Sequence, residues 1–284
     1  MKPYQGIAKR LVLFIAPIVA APALSQAPAM AATLAFSEAA FQFDNFSHSA
    51  YSLGTTTNAN TLALVTGPAS STIATAAAMA YFVPESAGNI SLSAASGQGS
   101  NYVGLAQSMA QVVGNFLVGP GESFGFNFNA SLALGSAVDN PKEMASAAGR
   151  TAFFLFGSTD GEPASLLDYF SVLGQVTTPG NNFLDWQSSD NINYTSDTSL
   201  NYTDTESLAL AAFEGWYQRS FDSQIQLTLV EYKQNEAHVK APEPSFRLAF
   251  PLLLFFICVS WKSRRKAAIL GQLDITKIEK NSSL

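Results

Sequence analysis

Between residues 123 and 134 the chain changes character at every step. Phe124, Phe126, Phe128, Leu132 and Leu134 fall on one parity, and Gly125, Asn127, Asn129, Ser131 and Ala133 fall on the other. A period of two sends successive side chains to opposite faces of a strand, so this segment reads as half-buried sheet. The apolar run 112–118 precedes it, and Gly119-Pro120-Gly121-Glu122 separates the two. Apolar runs flanking a glycine-rich turn predict a β-hairpin.

The same pattern recurs along the chain. Phe41 and Phe43 alternate with Gln42 and Asp44, Ile90 and Leu92 with Ser91 and Ser93, and Ile225, Leu227 and Leu229 with Gln226, Thr228 and Val230. Each set can bury one face of a strand, with the apolar residues inside. The runs 73–83, 151–156 and 208–213 read as further strands. Two stretches resist, 102–113 with Leu105, Met109 and Val113, and 141–148 with Lys142, Glu143 and Met144. Either can be a short helix. Many short strands at turn spacing predict an all-β antiparallel β-sandwich, jelly-roll-like.

The two ends differ from this body. An apolar stretch at 11–19 follows Lys2, Lys9 and Arg10 and precedes Ala29-Met30-Ala31, a small-x-small site, so residues 1–31 read as a signal peptide with Ala29 and Ala31 at the cleavage point. The sandwich is expected over 32–240. There five basic residues face eighteen acidic ones, a net charge of −13. Such a surface repels a phosphate backbone, so no nucleic-acid partner is expected. The only cysteine, Cys258, lies outside the body, which must be held by its core without a disulfide.

Residue chemistry points to no catalytic, metal or cofactor site. His48 sits between Ser47 and Ser49, His238 reads as linker, and the nucleophile, zinc and phosphate-loop motifs are absent. A carboxylate pair of the glycosidase type is conceivable at Asp185 and Glu214, each beside a tryptophan, Trp186 and Trp216. The short repeat Asn193-Tyr194-Thr195 and Asn201-Tyr202-Thr203 reads as an edge hairpin, or as a surface offering Tyr and Asn to a glycan or Asp190, Asp197 and Asp204 to calcium. Asn-x-Ser/Thr sites at Asn45, Asn89, Asn129, Asn193 and Asn201 are expected by chance in a chain this rich in those residues.

At the C-terminus Pro242, Glu243 and Pro244 are followed by an apolar run, 248–261, and by Lys262, Arg264, Arg265 and Lys266. This order over 241–266 resembles the PEP-CTERM sorting signal of exported bacterial proteins. The resemblance implies that Pro242, Glu243 and Pro244 are recognised by an exosortase, a membrane protease-transferase. It further implies that 248–261 parks the substrate as a transmembrane helix and that the basic cluster stops transfer. Processing would release the protein toward the cell surface or an exopolysaccharide matrix. A helix over 248–261 spans roughly 21 Å, short of a ~30 Å hydrocarbon core unless flanking residues contribute. Residues 267–284 are expected as a cytoplasmic tail.

The expectation is therefore an exported, non-enzymatic surface or matrix protein, membrane-anchored as a precursor. Its alternative is a permanent single-pass membrane protein whose sandwich binds carbohydrate or, as a lesser variant, degrades it.

Overall fold

The computed structural model describes residues 33–67, 69–159 and 162–242. The expected signal peptide with Ala29 and Ala31, and the expected segments 243–266 and 267–284, lie outside them. Among the described residues there are twelve strands: β1 (Thr33–Asp44), β2 (Ser52–Val65), β3 (Ser71–Val83), β4 (Ser86–Gln98), β5 (Tyr102–Val118), β6 (Ser123–Ala137), β7 (Met144–Ser158), β8 (Ser165–Thr178), β9 (Phe183–Ser188), β10 (Ile192–Tyr202), β11 (Glu206–Ser220) and β12 (Ile225–Ala241). They form two six-stranded antiparallel sheets, β10-β11-β6-β1-β4-β3 and β2-β5-β12-β7-β8-β9, packed as a sandwich.

Neither stretch that resisted assignment is helical: 102–113 lies within β5 and 144–148 within β7. Leu105, Met109 and Val113 are spaced by four, which is a helical repeat and also an even number, so all three share the outer face of β5. The inner face carries Ala106, Ser108, Ala110 and Val112. Residues 141–143 form a turn, with Glu143 N–H donating to the Asn140 carbonyl at 2.9 Å, and β7 begins at Met144. His238, expected in a linker, lies within β12 opposite Leu105 and Ser146.

The predicted hairpin is instead an arch between sheets. β5 pairs with β2 and β12, whereas β6 pairs with β1 and β11, so the turn at 119–122 carries the chain across the sandwich. Turn chemistry is local, but the partner of a strand is chosen by long-range burial, which no turn motif encodes.

The core is layered. An aromatic cluster fills the end nearest this arch, where Phe41, Phe43, Phe126, Phe128, Phe153 and Phe170 meet at centroid separations such as 4.7 Å for Phe41–Phe43 and 5.4 Å for Phe128–Phe153. Offset and edge-on ring pairs add about 0.5–1.5 kcal/mol each beyond burial. A smaller cluster of Ala35, Ala95, Tyr102, Val138, Ala145, Ala237, Val239 and Ala241 fills the other end. Between them is a polar layer in which Glu231, Lys233, Asn235, Asn89, Ser91, Ser93 and Thr151 are all buried.

That layer inverts the expectation for β4. Asn89, Ser91 and Ser93 point inward, where they meet β12, while Ile90 and Leu92 lie on the outer face. Ala35 and Ala241 share the small cluster, so β1 begins and β12 ends on the same side of the sandwich, opposite the 119–122 arch.

Candidate functional site

At the arch end, β1 stops at Asp44 and Asn45 turns the chain with φ of 57°. Ser47 then clasps β6: its N–H donates to the Gly125 carbonyl, and its Oγ accepts from Gly125 N–H, both at 2.9 Å. A side chain at Gly125 would bring its Cβ to 2.9 Å from the Tyr217 carbonyl, so this close approach needs glycine.

Around the clasp lies an open groove of about 250 Å³, lined in part by Asn45, Ser47, Asn127, Trp216 and Gln218. Trp216 opposes Asn127 in the β6–β11 register and is 48% exposed. An exposed indole flanked by side-chain amides offers a flat apolar surface with donors and acceptors at its rim.

Ser47, His48 and Glu122 form a hydrogen-bonded line beside the groove. Ser47 Oγ lies 2.9 Å from His48 Nδ1, and His48 Nε2 lies 3.1 Å from Glu122 Oε2. The Glu122 carboxyl is held below the usual carboxylate range, first by Gly119 N–H at 2.8 Å and then by His48. The order of groups resembles a nucleophile, base and orienting acid. Ser47 Oγ, however, also accepts from Gly125 N–H and lies 3.3 Å from the Ser123 carbonyl, to which it can donate, so both neighbours are on β6 and the line anchors the loop to the arch.

The carboxylates proposed as a glycosidase pair are not brought together. Asp185 points outward from β9 in one sheet and Glu214 outward from β11 in the other, so they leave opposite faces of the sandwich. Trp186 turns inward onto Phe213 at 5.8 Å. The Asn-Tyr-Thr repeat also divides: Tyr194 packs on Phe170 and Phe213, whereas Tyr202 is 67% exposed at the far end of β10. Asp190, Asp197 and Asp204 are spread along β10 and its flanking turns, and among the described residues no acidic, His or Cys cluster could hold a metal.

Of the sorting residues only Pro242 is described. It is exposed and follows the last residue of β12 directly. Glu243, Pro244, Lys262, Arg264, Arg265 and Lys266 lie outside the described residues, and among the described ones no helix is long and apolar enough to cross a membrane.

One cluster was not anticipated as a site. Glu231, Lys233 and Asn235 continue the inward parity of Ile225, Leu227 and Leu229, so three polar side chains on a buried face were the available signal. Asn89, read as a chance glycosylation site, is only 3% exposed. Comparison with protein-family models, with curated proteins and with solved structures finds no match for this chain.

Proposed function

We propose that this chain is an exported, non-enzymatic component of a cell surface or extracellular matrix, delivered by exosortase recognition of Pro242, Glu243 and Pro244. The observation carrying this reading is the position of the β-sandwich body. Its strands run from Thr33 to Ala241, the interval left between the signal-like and sorting-like segments, and the last strand ends one residue before Pro242. The grouping of both strand ends on one side of the sandwich suits a body held at a membrane by either end. Repeated passage of the chain between sheets supports a jelly-roll-like reading of the sandwich. Replacing Pro242, Glu243 and Pro244 together by alanine tests the proposal. The substituted chain is expected to accumulate in membranes with its C-terminus intact, and distribution identical to the parent chain would overturn the sorting role.

A second reading, carbohydrate binding, is favoured by the groove at Trp216. An exposed indole stacks against the C–H face of a sugar ring, and Asn45, Asn127 and Gln218 supply amides to its hydroxyls. Glycan-array binding lost on Trp216→Ala would support it, and no binding by the parent chain would remove it.

A further inference from the structure

Lys233, Glu231 and Asn89 meet in the middle of the sandwich. Lys233 and Glu231 are 0% exposed, and Asn89, on the facing strand β4 of the other sheet, is 3% exposed. Lys233 Nζ lies 3.1 Å from Glu231 Oε1 and 3.0 Å from the Asn89 backbone carbonyl. It also lies directly against Asn89 Oδ1, the atom bonded to the amide carbon. Asn89 Nδ2 donates to Glu231 Oε2. One carboxyl therefore touches the lysine amine with one oxygen and the asparagine amide nitrogen with the other. Thr151 Oγ1 donates to Glu231 Oε1 at 3.2 Å and fixes its orientation, and the Phe41 ring lies 5.7 Å from Nζ.

We propose that this is a self-modifying site: Lys233 Nζ and Asn89 Cγ become joined as an amide, with Glu231 transferring the proton and ammonia as the only by-product. The Nζ lone pair attacks Asn89 Cγ, and the carbonyl electrons move onto Oδ1. Glu231 Oε1 takes a proton from Nζ while the protonated Oε2 gives one to Nδ2. The Cγ–Nδ2 bond then breaks, the carbonyl reforms, and ammonia leaves. Glu231 ends as it began, a neutral acid with its proton on the other oxygen. No oxidant, metal or cofactor enters the balance.

The surroundings provide the required protonation states. Burial lowers the Lys233 ammonium to about 8, despite the opposing pull of Glu231, and burial raises the Glu231 carboxyl against the same attraction. Desolvation thus favours the neutral amine and neutral acid, which are the nucleophile and the proton shuttle. Holding amine and amide in contact converts a slow bimolecular reaction into an intramolecular one. Folding is the trigger, because the partners are 144 residues apart and belong to different sheets.

The bond would give a cysteine-free body the covalent staple that it lacks. It ties β4 to β12, the strand that leads into Pro242, so tension applied through the C-terminal segment meets a covalent link between the sheets. Closing so long a loop restricts the unfolded chain strongly.

Intact mass of the folded chain, as purified, tests this without any substitution. The expected mass is lower by one ammonia than that of the corresponding unlinked sequence, with tandem fragmentation locating a branched peptide joining Asn89 to Lys233. Glu231→Gln keeps the shape and hydrogen-bonding capacity of the side chain but removes the acid, and is expected to fold with its full mass. Asn89→Asp is expected to form the same bond with loss of water instead. A folded parent chain with no deficit, or with a deficit located elsewhere, overturns the proposal.

Discussion

Lys233 Nζ on β12 donates to the backbone carbonyl of Asn89 on β4 at 3.0 Å, across the space between the two sheets. This contact organises the centre of the molecule. Asn235, two residues along β12, donates its amide to the Ser91 carbonyl at 2.8 Å, and its Oδ1 accepts from Ser37 Oγ at 2.8 Å. Polar groups removed from water are costly unless paired, so the layer fixes how the sheets lie on one another. Apolar packing on either side of it lacks that directional constraint.

Asp168 is a second buried anchor. A β-bulge between β7 and β8 precedes it and turns it inward, where it accepts from Ser189 Oγ at 2.8 Å, Asn191 Nδ2 at 2.9 Å, Tyr217 OH at 3.0 Å and Arg219 Nη1 at 3.0 Å. Burial and the Asp168 charge push the Tyr217 hydroxyl well above its usual range. Asp168→Ala strands the Tyr217 and Arg219 donors and is expected to cost about 3 kcal/mol. Asp168→Asn retains an acceptor and is expected to cost less, about 1–2 kcal/mol. The shift of the urea midpoint measures both.

Glu38 gives the fold a pH dependence. It lies on the outer face of its sheet, opposite Leu92 and Ala133, yet is only 7% exposed, and among the described residues its Oε1 has no hydrogen-bond partner. Burial raises its carboxyl from 4.5 to about 7. Between these values the folded state holds a proton that the unfolded state has released, so this group's contribution to stability falls as pH rises through that window. Glu38→Gln is expected to stabilise the protein by about 2 kcal/mol at pH 8, after allowance for solvent screening, and to change nothing at pH 4. Denaturation curves at the two pH values check the sign.

The inter-sheet arch depends on Gly121, whose φ is +78° and whose N–H donates to the Phe221 carbonyl at 2.7 Å. Beyond its two chain neighbours, no atom of the described residues lies within 4 Å of where its Cβ would stand, so Gly121→Ala meets only the backbone penalty. A loss of about 1 kcal/mol is expected, and a smaller one for Gly121→Asn, which tolerates the left-handed region. An unchanged denaturant slope would accompany both.

These residues show what the sequence disclosed. Phe41, Phe43, the alternating phenylalanines of β6 and Ile225, Leu227 and Leu229 were legible as inward-facing, because large apolar side chains dominate the energetics of their strands. Ile90 and Leu92 misled for the same reason. Hydrophobicity names the face that prefers burial, but the layer opposite Glu231 and Lys233 rewards Asn89, Ser91 and Ser93, whose partners are about half the chain away. The arch at 119–122 was legible as a turn and not as a crossing. Of the groove, Trp216 was visible, but its neighbours Asn45, in the turn after β1, and Asn127, on β6, assemble beside it only in the fold.

The export account is tested most directly by the intact mass of the protein recovered separately from membranes and medium of the cells that make it. The expected result is an exported species beginning near Ala32 and lacking the basic cluster at Lys262, Arg264, Arg265 and Lys266. A single species retaining Leu284 and confined to membranes would contradict it.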